Sequence, residues 1–421
     1  MKKKVDINIK IISILFALIF FVGCAREPIP TKIVILRNSI IALDTENRTL
    51  WKMTEGDSAI ESFAKSLKVL DSLSSKNILI VPHYINTVSP DVPAAGLQGY
   101  LDFLYYVDIK KGKVKWRYQL EGLYKIVGGS KIISEDVIKI IPVKDNFLIF
   151  TTMRVLEISK NGKLIFWNNY SKGEKDIGDL IDAIIRDVKK LDENKFLLLG
   201  TDCFGIYNKD NRKIELTKEE NRHNLAPVYA NGKIYWLRET VNKALTSYFS
   251  LCQYSTDGKL LKTLNKDFLE NVYEQKSLLW GEKLYLLVNS NRLLVVDTHT
   301  DSVITGITSD VLLDTVFLYG GKVYCCRFSE GEVFSIQDGR IARYEKDKSF
   351  IDRTNGMIHI LNPHTMLYIN RERNVVITLD GHFNNIGEER KSFLGVDKEY
   401  WAIQESGKIG VYRGLKKWLS I

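Results

Sequence analysis

An all-β architecture, a single ring of four-stranded antiparallel blades, is predicted by three properties of this 421-residue sequence. A strand-turn-strand phrase recurs along the chain, glycine marks many of its tight turns, and apolar residues run on from unit to unit without a long polar gap. Radial repetition accounts for that continuity, because each blade of a β-propeller buries both faces against its neighbours and leaves only short edges.

In chain order, residues 1–23 read as an export signal. Lys2, Lys3, Lys4 and Lys10 form a basic start, the apolar run from Ile11 to Val22 follows, and Val22-Gly23-Cys24 closes it. This resembles the signal of bacterial lipoproteins, in which a short apolar core and a small residue precede the cysteine that takes the lipid; Phe21 stands where Leu is usual. A spanning helix takes about 20 apolar residues, so the run is too short to cross a bilayer comfortably. Cleavage would leave Cys24 as an acylated N-terminus, while an uncleaved signal would serve as the anchor itself. Both readings put the folded part outside the cytoplasm, on the periplasmic face of an outer membrane or the outer face of a plasma membrane. Residues 24–32 form a lipidated tether whose stretch from Ala25 to Lys32 reaches at most roughly 28 Å. The propeller is expected over 33–413, with a tail at 414–421.

Composition narrows the partners. Of the net charge of +9, the signal's four lysines less Asp6 account for +3, which leaves a mild +6 for residues 24–421. That bias suits anionic lipid or cell-wall polymer. Nucleic acid is not expected, because no cluster of Lys and Arg is interleaved with stacking aromatics. Besides Cys24 the cysteines are Cys203, Cys252, Cys325 and Cys326, too few for a disulfide scaffold in a chain this long, so packing must supply stability.

The repeat is clearest in Ser39 to Trp51, Leu104 to Trp116 and Arg154 to Trp167. Looser copies follow at Phe204 to Leu216, Leu251 to Leu264, Leu293 to Ile304, Val333 to Ile341, Leu367 to Leu379 and Tyr400 to Tyr412. Gly112, Gly162, Gly258, Gly339 and Gly407 supply the positive φ that tight hairpins need. Upstream, Asn231-Gly232, Gly281-Glu282, Gly320-Gly321 and Asn355-Gly356 mark a second hairpin within the unit, which makes each unit a meander of three or four strands. Turns recur about every 33 to 64 residues, the span of a propeller blade. There are nine such turn signals, and eight blades are expected if the short first and last units share one ring-closing blade, with seven as the alternative.

Two stretches break the pattern. Ile60, Phe63, Leu67, Leu70 and Leu73 within 58–73, and Ile177, Leu180, Ile181, Ile184 and Val188 within 176–190, fall at helical spacing and predict two short amphipathic inserts. The segment Pro82 to Tyr100 has no regular period. Long inserts on a propeller are where partners are met, although helices that merely cap one end of the channel would read the same way.

The units ending at Trp51, Trp116 and Trp167 are similar to the repeat of the pyrroloquinoline-quinone-type propellers, Asp-x-x-Thr-Gly-Lys-x-x-Trp. Asp108 to Trp116 matches it closely, with Lys111 in place of Thr. The resemblance implies a propeller over residues 31–413, in which Trp51, Trp116 and Trp167 dock structurally against the next blade. Quinone-dependent alcohol dehydrogenases share this repeat and carry an adjacent-cysteine disulfide beside the cofactor, which draws attention to Cys325-Cys326. Those residues lie within one strand, one side chain to each side, and nothing in the sequence matches the family's calcium-binding Glu and Asn or its catalytic Asp. No cofactor is therefore expected, and both cysteines read as small blade residues. Cys203 and Cys252, in adjacent units, offer a second pairing to test.

Other chemistry is thin. The six histidines His83, His223, His299, His359, His364 and His382 form no metal-ligand spacing, and only His359 and His364 face one another across a turn. There is no Gly-x-Ser-x-Gly elbow and no phosphate loop. Asp176, Asp179 and Asp182 recur at spacing three on the second predicted helix, which reads as its wet face rather than a carboxylate pair. The expected function is non-catalytic: a lipid-anchored propeller that binds an envelope protein or polymer, similar in anchor, repeat and length to the propeller lipoprotein of the outer-membrane β-barrel assembly machinery. The alternatives are an enzyme that uses the channel, either a quinoprotein dehydrogenase or a carbohydrate-active propeller, and a small-ligand sensor.

Overall fold

The computed structural model describes residues 29–420 except 37–38, 55–66, 71–72, 74–76, 81–102, 121–123, 126–131, 134, 171–183, 219–224, 242–246, 265–271, 273–274, 310, 328–331, 338–339, 344–356, 363, 371–372, 381–382 and 384. Strands alternate direction and, except for Lys68–Leu70, pair with their sequence neighbours, which builds eight four-stranded antiparallel sheets and one of three strands among the described residues. These are the blades. In chain order their strands lie within 32–70 (blade 1), 77–119 (blade 2, the one of three strands), 137–169 (blade 3), 184–218 (blade 4), 228–263 (blade 5), 275–308 (blade 6), 315–343 (blade 7), 357–390 (blade 8) and 393–420 (blade 9). Blade 3, for example, consists of Val137–Val143, Asn146–Thr151, Arg154–Ser159 and Leu164–Asn169 in that order. A separate short ladder pairs Tyr124–Lys125 with Ile132–Ile133.

The sequence of each strand reports its place. Middle strands such as Ser39–Leu43 and Thr365–Asn370 are buried along their whole length, as continuous apolar runs covered on both faces must be. Outer strands such as Leu260–Thr263 are exposed. First strands of neighbouring blades approach one another near the axis, as Val137–Val143 and Ile184–Lys190 do. Nine apolar clusters join the sheets, one at each boundary, and the last closes the ring: Val34, Ile41 and Val69 of blade 1 pack on Tyr400, Ala402 and Val411 of blade 9. Each fully buried aliphatic side chain in these clusters contributes about 1.5–3 kcal/mol of transfer free energy, so the repeated boundaries carry the fold.

The ring therefore has nine blades, not eight or seven. The expectation failed because it let the first and last units share a blade, whereas each builds its own. Blade 1 takes Lys32–Leu36, Ser39–Leu43 and Thr49–Thr54, and its inner position is filled by Lys68–Leu70, which pairs antiparallel with Lys32–Leu36. Blade 9 is complete from Phe393–Asp397 to Lys416–Ser420. Residues 414–421, expected as a tail, thus contain its outer strand.

The helical inserts are also corrected among the described residues. Within 58–73, Lys68–Leu70 is a strand: Leu67 and Val69 point to the boundary with blade 9, and Leu70 to that with blade 2. Within 176–190, Ile184–Lys190 is the first strand of blade 4. A β-bulge places Arg186 outside the register, since Ile185 pairs with Gly200 and Asp187 with Leu199. The bulge moves the buried positions from a spacing of two to three, Ile185 and Val188, which imitates a helix. The rest of both predicted helices lies outside the described residues.

Alternation of strand direction separates two faces. Turns between first and second strands share one face with turns between third and outer strands, and they bond to each other there: Lys160 N–H donates to Asp145 O in blade 3, Lys209 to Asn194 in blade 4, Thr298 to Glu282 in blade 6 and Gly414 to Glu399 in blade 9. This hairpin face consists of tight turns. Turns between second and third strands lie on the opposite face with the blade-to-blade connections, where Ile185 N–H donates to Thr152 O and Ser309 N–H to Asn291 O. The exception is the step from blade 1 to blade 2, whose ends Leu70 and Asn77 both lie on the hairpin face. The longest connections, 81–102 and 171–183 among them, leave from and return to strand ends on this linker face. The chain enters on the other one. Lys32 pairs with Leu43 beside the Asp44–Arg48 turn, and Lys32 Nζ donates to Asn47 Oδ1 of that turn.

Candidate functional site

The hairpin face carries a repeated docking device. The Trp51 indole N–H donates to Ile109 O at 2.7 Å, and that of Trp116 to Lys160 O at 2.7 Å, so each ring lies on the next blade's turn. Glycine is required beneath them: a Cβ on Gly112 would sit 2.7 Å from the Trp51 ring, and one on Gly162 2.8 Å from that of Trp116, and both glycines have positive φ. Trp167 does not join the series. The same one-residue bulge precedes the docking position in all three blades, at Leu50, Lys115 and Ile165, and it places Phe166 opposite Glu157, just as Trp116 is the partner of Tyr106 and Trp51 of Ala42. Phe166 consequently takes the docking position, under the guanidinium of Arg212, while Trp167 is 49% exposed with Arg154 near its ring. In blade 5 the same register position holds Lys262, whose Nζ donates to Asp301 O of blade 6. Around the ring the device thus passes from aromatic to polar, which explains why the later repeats read as degenerate.

Two polar nodes escaped sequence reasoning. Asp301, at positive φ in the blade 6 turn, binds Lys233 Nζ, accepts from Tyr235 OH at 3.0 Å and accepts from the Gln253 amide. Burial opposes its charge, but hydrogen bonds from Lys233, Tyr235 and Gln253 together hold the carboxyl below its usual range. Burial foremost pushes the Tyr235 phenol up to about 12. In blade 3, Glu135 and Arg154, 2% and 3% exposed, form a two-point ion pair at 2.8 and 3.0 Å, and Thr151 Oγ1 donates to the same carboxylate at 2.8 Å. Both carboxylates spend their acceptor capacity on neighbours within the protein, so these nodes fix geometry and do not present a base to a substrate. The only sequence cue was an Asp at a turn position where glycine is the rule.

The cysteines remain apart. Cys325 lies in the cluster between blades 6 and 7 and Cys326 in that between blades 7 and 8, on opposite faces of one strand. Cys203 packs between blades 3 and 4 and Cys252 between blades 4 and 5, and all four are free thiols. Burial pushes Cys203 and Cys325 up to about 12. The reactive thiolate is therefore scarce at neutral pH. We expect all four thiols to resist a disulfide reagent at pH 8 in the folded protein and to react once it is unfolded in guanidinium; rapid labelling of any of them in the native state would contradict this burial.

Among the described residues the remaining candidates do not assemble into a centre. His359 Nε2 lies 3.1 Å from Lys398 O of blade 9, and the His364 amide donates to Asn362 Oδ1. Among the described residues no three His, Cys, Asp or Glu side chains converge as metal ligands. Cys24, Asp176, Asp179, Asp182, His83, His223 and His382 lie outside the described residues.

No protein-family model matches the chain, and no curated protein matches it. Among solved structures, BamB from Moraxella catarrhalis is 11% identical with a TM-score of 0.40, covering 92% of this chain and 95% of its own. The dihydro-heme d1 dehydrogenase NirN is 9% identical with a TM-score of 0.45, covering 93% of this chain and 76% of its own. Apo AztD from Citrobacter koseri is 10% identical with a TM-score of 0.39, covering 86% and 95%. These likenesses are distant, and the propeller rests on the strand pairing itself.

Proposed function

We propose that this chain is a lipid-anchored, non-catalytic propeller that holds another envelope protein or polymer on its linker face. One observation carries the reading: the tight turns and the long connections are segregated onto opposite faces. A ring whose longest connections begin and end on one side offers that side as a larger and more varied surface than the tight turns opposite, while the blades hold it in place. The anchor follows from the signal ending at Cys24, and the built carboxylate nodes are engaged internally, as a scaffold requires.

Photo-crosslinking in intact host cells tests the face. A photoreactive residue at Asn291 or Lys408, at turns of the linker face, is expected to capture one discrete partner, and the same residue at Lys163 on the hairpin face is not. Capture from position 163 alone would overturn the assignment. The anchor is tested by the intact mass of the membrane-extracted protein, which should correspond to a diacyl- or triacyl-modified chain beginning at Cys24; an unmodified chain that retains Met1 would overturn it.

A further inference from the structure

The chain enters the ring on the hairpin face, and that face is rich in lysine. Lys111 and Lys113 of blade 2, Lys144 and Lys163 of blade 3 and Lys416 of blade 9 flank blade 1, where the N-terminal segment arrives. All five are exposed, and none forms an ion pair among the described residues. The acidic groups of the same turns are engaged. Asp44 and Glu46 bind Arg48, Asp145 binds Lys160, and Glu399 binds Arg413. The field that faces outward is therefore cationic although the turns contain both signs.

Tether length decides which way the ring faces. The first strand starts at Lys32, so Ala25 to Thr31 span at most roughly 25 Å from the lipid. A blade is about 20 Å tall, since its strands of about six residues rise roughly 3.3 Å each. If the linker face lay on the bilayer, the tether would use nearly its whole reach to pass the edge of the ring. With the hairpin face down it needs almost none, and the lysines come within the roughly 8–10 Å over which anionic headgroups are felt at physiological salt.

We infer that the hairpin face of blades 9, 1, 2 and 3 is an electrostatic seat for the anionic bilayer that holds the lipid of Cys24, which turns the linker face away from the membrane and toward the partner. The inference rests on the proposed anchor and adds an orientation to it.

The test uses the full acylated protein in vesicles of phosphatidylcholine alone or with phosphatidylglycerol, both doped with a headgroup-quencher lipid. A dye is placed at Lys163→Cys or, on the opposite face, at Lys408→Cys, the native thiols being buried. In phosphatidylglycerol vesicles the dye at 163 is expected to be quenched at least threefold more than the dye at 408, with the difference shrinking in high salt. The triple variant Lys111→Glu, Lys113→Glu, Lys144→Glu should lose the phosphatidylglycerol dependence without a change in melting temperature. Equal quenching at the two sites, stronger quenching at 408, or a phosphatidylglycerol effect that survives the triple variant would overturn the seat while leaving the anchor intact. Protein whose mass shows no acyl group would remove the anchor, and the orientation with it.

Discussion

Replacing Glu135 with Ala is expected to destabilise the protein by about 3–5 kcal/mol, because it leaves the Arg154 guanidinium charged, buried and without its principal partner. The same magnitude is expected for Arg154→Ala, which strands the carboxylate. The pair lies where blade 3 turns from its second to its third strand, and Thr151 ties both residues to that turn: its hydroxyl donates to Glu135, and the Arg154 amide donates to Thr151 Oγ1. The informative variant is the double one. With Glu135→Leu and Arg154→Met together, no ion remains to be desolvated, and the loss should be well under the sum of the two single losses and smaller than either. Urea unfolding of the four proteins measures this. Additive losses would mean that the two residues act separately.

The second large effect belongs to the docked indoles. Gly162→Val is expected to cost about 2–4 kcal/mol, combining a left-handed backbone that a β-branched residue tolerates badly with a Cβ driven into the Trp116 ring. Gly232 separates the two contributions. It has φ of +76° with nothing within 4 Å of its ideal Cβ, so Gly232→Ala carries the backbone cost alone, about 1 kcal/mol. Gly162→Ala should exceed Gly232→Ala by the price of displacing the indole. If Gly162→Ala cost as much in a Trp116→Ala background as in the native one, contact with the ring would not be the cause. Thermal unfolding followed by tryptophan fluorescence reads both the stability and the environment of the ring.

Most of the architecture was legible because turn chemistry is local. Glycines at Gly112, Gly162 and Gly258 announce hairpins wherever the chain lies, and two-sided apolar strands announce blades packed on both faces. What failed has more than one physical origin. A β-bulge changes the parity of a strand, so one at Arg186 turned alternate burial into a spacing of three and imitated a helix. Docking falls to Phe166 because it stands four residues after Gly162, as Trp116 does after Gly112, whereas Trp167 stands five after. A bulge is fixed by pairing with the neighbouring strand and is invisible in the bulged segment alone. The blade count failed for a related reason: Lys68–Leu70 lies after the outer strand of its unit, yet pairs with Lys32–Leu36. The buried pair of blade 3 was likewise unreadable, because nothing local links Glu135 to a residue 19 positions away.

That inner strand of blade 1 has a mechanical consequence. Lys32–Leu36 is not at an edge, since Ser39–Leu43 flanks it on one side and Lys68–Leu70 on the other, and the Val69 amide is held by Asp397 of blade 9. Tension arriving from the N-terminal segment pulls along this strand and loads both of its hydrogen-bond ladders in shear, so several bonds must yield together. At an edge, and pulled sideways, the same strand would unzip one bond at a time. Placing the chain's entry between two partners makes the first blade a firm attachment for any force that arrives through the N-terminal segment.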